Sequence, residues 1–305
     1  MAKGNIWIGL IAGIVIYFVM TVYGNYEKVL VAVSSFRMEY IPVLLSLAFT
    51  NYLLRAFKWH YFFKVVGLDI SLKESLYVFL SGLLMAVTPG KFGEVWKSWL
   101  VRDLRGYELH RTVPIVFMDR LTDVIAILTL ASFGVLIFGA SILSFSIIAA
   151  ILFIMLIMLR SETIMLVIFG MSARFEGAKK AYLNSLNLLH WRVFVLAVLI
   201  SLSAWFMECL GFYLTFRGLS VEAGLLESTF IYAISSVAGA LTMLPGGLGV
   251  TETSMAGLSS HLFGLNKSTS IAATFIIRAV TLWFAVIVGA ISYFLGGRLI
   301  YRKSA

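Results

Sequence analysis

The sequence predicts an all-α polytopic membrane protein. About six transmembrane helices and two Pro-Gly re-entrant helical hairpins are arranged as an inverted repeat. Three observations lead there. Apolar residues make up 61% of the 305 positions and charged residues 13%, against roughly 45–50% and roughly 25% in soluble domains; the mean hydropathy is +0.97. The apolar residues run continuously, where a β-barrel would alternate them in segments of about ten. Two stretches, TPGKFGEVWKSWL (Thr88–Leu100) and LPGGLGVTETSM (Leu244–Met255), break the apolar chain in the same way.

Taken in order, the elements form one transmembrane domain over 1–305. An N-terminal helix occupies 1–37, with its span at 5–25. Its apolar run, Ile6 to Val22, lacks a small-residue cleavage site, so it is read as a retained helix. The first repeat covers 38–159, with spans at 39–65, 112–138 and 141–159 and a hairpin at 74–104. The hairpin's first arm, Ser75 to Pro89, has 15 residues. It reaches about 22 Å, short of a hydrocarbon core of about 30 Å. Such a segment turns back at mid-depth, and its irregular backbone survives only in protein or beside a water-filled cavity. A cytoplasmic linker follows at 160–191, with an amphipathic helix over 173–187. The second repeat covers 192–300, with spans at 192–216 and 268–297 and a hairpin at 227–264.

Charge orients this arrangement. Seventeen Lys and Arg fall on the side of both termini and four on the other; Arg55, Arg120 and Arg278 lie within the spans. The positive-inside rule puts both termini in the cytoplasm. The net charge of +9 is mostly this excess, which suits an anionic leaflet rather than nucleic acid.

The repeat is internal and ordered. Gly67-Leu68, Glu74-Ser75, Pro89-Gly90, Gly93, Glu94 and Arg120 are matched by Gly218-Leu219, Glu227-Ser228, Pro245-Gly246, Gly249, Glu252 and Arg278. The first hairpin opens to the cytoplasm and the second to the outside, so the units are inverted. Inverted repeats with broken helices mark transporters; a duplication kept only for packing is the alternative. At each corner, Pro89 and Gly90, or Pro245 and Gly246, end one arm and permit a close backbone approach. The next helix then offers unpaired N–H groups to an anion. Lys91 and Lys97 add charge to the first corner, and Gly247 stands in the place of Lys91 at the second.

Charges inside spans are costly and point to function. The candidates are Arg55, Asp119, Arg120, Asp123, Glu208 and Arg278, with Glu94 and Glu252 at the corners. Asp119 and Asp123, four apart, share a helix face. Arg120 points about 100° from Asp119, toward a different neighbour. Arg120, Arg278, Lys91 and Arg55 are the candidate phosphate ligands, since arginine binds phosphate bidentately. Asp119, Asp123, Glu94, Glu208 and Glu252 are the candidate cavity or gating carboxylates. Position near a helix end favours snorkelling for Arg55, Lys58 and Lys64, and helix capping competes for Glu94 and Glu252. No metal site, nucleotide motif or nucleophile elbow is found, and no cofactor is expected. Cys209, the one cysteine, is expected as a packed thiol.

The ordered motifs PGKFGEVWKSWLVRD, MDRLTDV, PGGLGVTETSM and IIRAVTLW resemble the transmembrane, flippase-like domain of lysylphosphatidylglycerol synthase over about residues 5–300. The resemblance implies movement of polar-headed lipids between leaflets: an anionic phospholipid, an aminoacyl lipid or a polyprenyl-phosphate lipid. The chain ends at Ala305, so no aminoacyl-transfer domain is expected and the synthase activity does not carry over. The expectation is a lipid translocase of the cell membrane without ATP hydrolysis of its own. A homo-oligomer or a partner enzyme is compatible with it. The alternatives are a non-transporting subunit or scaffold of a lipid-linked glycosyltransferase, and an integral membrane transferase.

Overall fold

The computed structural model describes residues 2–88, 92–137, 183 and 186–296, and every regular element in them is helical. Among the described residues, three stretches are long and apolar enough to cross a membrane: Met38–Val66, Trp191–Gly218 and Lys267–Gly296. The chain is a multi-pass α-helical membrane protein.

Helix α1 (Ala2–Tyr23) meets α2 (Tyr26–Ser34) at 102°. The sequence predicts one N-terminal helix over 1–37; the structure breaks it between Tyr23 and Tyr26. The cause is local and tertiary. Asn25 adopts φ 64° and its Oδ1 accepts the Lys28 N–H, a helix N-cap. A side chain at Gly24 would collide with Ile271 and Val29, so glycine lets the bend seat against the last long helix. Helix α3 (Ile41–Val66) starts with Pro42 in its first turn and ends at Gly67 in the left-handed conformation, φ 73°, the standard proline-in, glycine-out pattern.

Next come α4 (Leu72–Leu83), a 3-10 turn at Leu84–Val87, α5 (Phe92–Arg105) and α6 (Leu109–Ile137). Ser71 and Glu74 start α4 with a reciprocal capping box: Ser71 N–H donates to Glu74 Oε2 at 2.9 Å, and Glu74 N–H to Ser71 Oγ at 3.3 Å. In the second half are α7 (Trp191–Gly218), α8 (Leu225–Leu241), a 3-10 turn at Pro245–Gly247, α9 (Val250–Leu262) and α10 (Lys267–Gly296). Two π-helical stretches, Ala279–Trp283 and Ser292–Gly296, interrupt α10. Each half thus reads long helix, short helix, turn, short helix, long helix. The expected span at 141–159 lies outside the described residues, as does nearly all of 173–187.

The four short helices hold 12, 14, 17 and 13 residues. At about 1.5 Å per residue they measure about 18, 21, 25 and 20 Å, each short of a core of about 30 Å. They pack against the long helices. Helix α7 packs along α3 and α6, α8 lies against α6, and α10 lies against α4, α9 and α2. One apolar core gathers Trp59, Phe62, Phe63, Phe79 and Met118 from the first half. A second gathers Phe212, Phe216, Tyr232, Met255 and Ile277.

The two breaks meet. The Leu84–Val87 turn touches the Pro245–Gly247 turn, and a Cβ at Gly246 would stand 3.6 Å from the Ala86 carbonyl oxygen. Val87, Leu248 and Leu282 pack together beside them. Gly246, Gly247 and Gly249 all have positive φ, at 59°, 66° and 87°, which the glycine-rich sequence permits at little cost. A Cβ at Gly247 would fall 2.6 Å from Thr251 Oγ1 and 3.1 Å from Gly239 Cα, so the turn lies flat on α8.

Candidate functional site

A cavity of about 200 Å³ opens where the two turns meet. Met85 and Ala86 line it from the first break and Gly246 and Gly247 from the second. Four cations reach it: Arg55 from α3, Lys97 from α5, Arg120 from α6 and Arg278 from α10. Among the described residues Glu208 is the carboxylate on its wall.

The cations are held in two groups. In the first, α6 carries Asp119 and Asp123 on one face, and three helices supply positive partners. Lys58 is fully buried, with Nζ 2.9 Å from Asp119 Oδ1, 2.7 Å from Asp123 Oδ1 and 2.7 Å from Ser201 Oγ on α7. Arg55 Nη2 lies 3.1 Å from Asp123 Oδ2, and Lys97 Nζ 3.4 Å from Asp119 Oδ2. Arg120 Nη2 sits 2.6 Å from Asp119 Oδ2 and 3.0 Å from Asp123 Oδ2. Among the described residues, four positive groups thus converge on the same two carboxylates. Aromatic faces help hold them: Lys97 Nζ lies 4.6 Å from the Trp59 ring centroid and 4.9 Å from that of Phe79, and Arg55 stacks 5.4 Å from that of Trp205. Lys97 crosses α4 at Gly82, where a Cβ would lie 2.7 Å from Lys97 Cγ.

The second group is balanced. Arg278 Nε donates to Glu252 Oε1 at 2.6 Å, and its Nη2 donates to the Gly246 carbonyl at 2.7 Å. The other Glu252 oxygen accepts the Gly249 N–H at 2.7 Å. Glu252 thus caps α9 and pairs Arg278 at once, and one arginine ties α10 to the glycine turn. Between the groups, Glu208 Oε2 accepts the Tyr232 hydroxyl at 2.6 Å.

Of the residues singled out from sequence, Arg55, Arg120, Arg278 and Glu208 line the cavity, with Gly246 of the second corner. Asp119, Asp123 and Glu252 stand behind the cations and hold them. Pro245 is buried in the turn, and Gly249 begins α9. Pro89, Gly90 and Lys91 lie outside the described residues. Gly93 and Glu94 fall in the first turn of α5, and the Glu94 side chain also lies outside the described residues.

Two expectations are corrected. Arg120 does not point away from Asp119: its long side chain folds back and meets both Asp119 and Asp123, despite the 100° offset of its Cα–Cβ bond. Lys58 does not snorkel to an interface but is fully buried in the network. Lys97, expected to add charge at the first corner, does line the cavity; Lys58, Ser201 and Tyr232 are site residues that the sequence did not single out. For Lys58 a signal existed, since it stands one turn after Arg55 on the same helix face. Ser201 offers none among the many serines.

A family model described as lysylphosphatidylglycerol synthase TM region matches residues 6–289. The chain belongs to this family. It is also similar to curated archaeal proteins. The UPF0104 membrane protein MJ1078 of Methanocaldococcus jannaschii is 24% identical over 236 residues, 72% of this chain and 96% of that one. A second protein of that organism, MJ1595, is 22% identical over 310 residues, 92% of each chain. A UPF0104 membrane protein of Methanothermobacter thermautotrophicus is 36% identical over 93 residues, 30% of this chain, and the match covers only 28% of that relative.

Proposed function

We propose that the protein moves a polar-headed lipid between the leaflets of the cell membrane. The headgroup enters the cavity between the two broken helices while the tails stay in the bilayer. The observation that carries this reading is the cavity itself: both breaks contribute to one space, and four cations from four helices reach it. Membership of a lipid-associated membrane family supports it. In this reading the two halves are inverted repeats, the broken helices are re-entrant, and both termini are cytoplasmic. Arg120 and Arg278 contact the phosphate, and rocking of one half against the other opens the cavity to each side in turn.

Reconstitution tests it. Liposomes holding the protein and a fluorescent anionic phospholipid are treated with a membrane-impermeant quencher. Leaflet exchange faster than in empty vesicles is expected, with a fall of about tenfold or more for Arg278→Ala, about the effect of one lost charge-assisted contact. Exchange equal to that in empty vesicles overturns the reading and favours a non-transporting partner of a lipid-modifying enzyme.

A further inference from the structure

We infer that an anionic headgroup enters the cavity together with a proton, and that Glu208 carries that proton, which makes the protein a proton–lipid symporter. The inference rests on the translocase reading above and supplies its energy source. Three observations carry it.

The first is where Glu208 stands. It lies in the body of α7, is 7% exposed and lines the cavity with Arg55 and Arg278. An anion bound by these arginines comes to rest beside the Glu208 carboxylate. Two negative charges in a buried site disfavour each other, and a proton on the carboxylate removes the conflict.

The second is what holds Glu208. Among the described residues it has no ion-pair partner, and its Oε2 accepts the Tyr232 hydroxyl at 2.6 Å. Asp119, Asp123 and Glu252, by contrast, each pair with a cation. Glu208 can therefore gain or lose a proton without breaking a salt bridge. Protonated, it still accepts the Tyr232 hydroxyl on its carbonyl oxygen, and its own O–H becomes a donor to the headgroup.

The third is what surrounds it. Helix α7 packs against α3, α6, α8 and α10. From α3, Arg55 pairs with Asp123, Lys58 with both carboxylates of α6, and the Tyr52 hydroxyl donates to the Thr281 carbonyl at 2.5 Å. Arg120 of α6 meets Asp119 and Asp123, Lys97 of α5 meets Asp119, and Arg278 of α10 meets Glu252. On α7 itself the neighbouring Cys209 thiol is buried, 3.9 Å from the Thr229 carbonyl. Arg37 and Glu39, at the far end of α7, pair with each other. Of the described carboxylates, Glu208 is thus the one on the cavity wall that can change charge alone. Its proton comes from water on the side where the headgroup enters and returns to water on the side where it leaves. A lipid with one negative charge and one proton together carry no net charge, so a membrane potential does not oppose their passage.

Titration calorimetry tests this with the full chain in detergent and dioctanoyl phosphatidylglycerol. Pairs of buffers of unlike ionisation enthalpy cover about pH 5 to about pH 8, a range in which the phosphodiester keeps its charge and a perturbed glutamate titrates. The buffer dependence of the heat counts the protons taken up per lipid bound: about one at the peak of the profile, and none for Glu208→Gln, which keeps an oxygen for the Tyr232 hydroxyl. Tyr232→Phe removes a donor that supports the charged carboxylate and moves the profile to higher pH. No uptake at any pH, undiminished uptake in Glu208→Gln, or a profile unmoved by Tyr232→Phe overturns the inference. In sealed liposomes a pH difference gathers the fluorescent lipid in the leaflet on the alkaline side, and Glu208→Gln loses this bias. The two readings fail separately: proton uptake on binding without leaflet exchange sinks the translocase alone, and exchange without proton uptake or bias sinks the symport alone.

Discussion

Lys58 is the residue on which the first charge group turns. It is fully buried and touches both carboxylates of α6 and Ser201 of α7. Removing one partner of a buried ion pair leaves the other charge unmatched and costs about 3–5 kcal/mol. Lys58→Met is therefore expected to lower the midpoint of thermal unfolding in detergent sharply. Lys58→Met with Asp123→Asn should recover part of the loss, because the orphaned carboxylate is gone. A double variant no more stable than Lys58→Met argues that Lys58 acts through packing alone. The sequence made Asp119 and Asp123 legible, since spacing of four on a helix leaves no other geometry. It concealed Lys58 and the direction of Arg120. Hydropathy cannot distinguish a lysine near a helix end that snorkels from one drawn inward, and flexible arginine side chains are not bound by the angle at which they leave the backbone.

Among elements, the broken helices depend on close backbone contacts. Gly289 on α10 faces the end of α4, where a Cβ would stand 2.2 Å from Leu84 N and 2.8 Å from Leu83 C. These are backbone atoms that cannot swing aside, so Gly289→Ala must push the arm and α10 apart. Overpacking of this kind costs about 1–3 kcal/mol, and a thermal midpoint equal to that of the unaltered chain would refute the contact. Gly82→Ala differs in kind, because its Cβ meets the flexible Lys97 side chain. It is expected to slow leaflet exchange while leaving the thermal midpoint nearly unchanged. The start of α4 adds a pH dependence. Burial pushes Glu74 up, but hydrogen bonds from Arg105 and Ser71 outweigh it and hold the carboxyl below its usual range. A depressed acid stabilises the fold fully above its unfolded value of about 4.3 and loses that contribution as pH falls through the lower folded value. Unfolding of Glu74→Gln should therefore depend less on pH below about 4 than that of the unaltered chain. Proline and glycine mark the second break in the sequence, because each residue acts on its own backbone. The bend between α1 and α2 escaped notice, since it needs Ile271, distant in sequence, to pack at Gly24.

Across the whole molecule, the consequence of the fold is that the turn at Leu84–Val87, just before the first Pro-Gly stretch, and the turn at Pro245–Gly247 serve one space. The sequence showed that the corners match, but nothing in a pattern of spacings says whether they meet. That depends on α7 lying along both α3 and α6, a packing choice made by apolar faces with no distinguishing composition. Ala86 from the first half and Ala240 from the second both line the cavity, and labelling can test whether they share it. The lone cysteine, Cys209, is buried, so the unaltered chain should resist a membrane-impermeant thiol reagent. With Ala86→Cys or Ala240→Cys in sealed vesicles, reagent on a given side should reach both positions or neither. A cavity that opens to one side at a time exposes all of its walls together. Dioctanoyl phosphatidylglycerol should protect both positions over the same concentration range. Labelling of the two positions from opposite sides, without mutual protection, would mean two separate clefts and would remove the shared cavity on which the proposed translocation path depends.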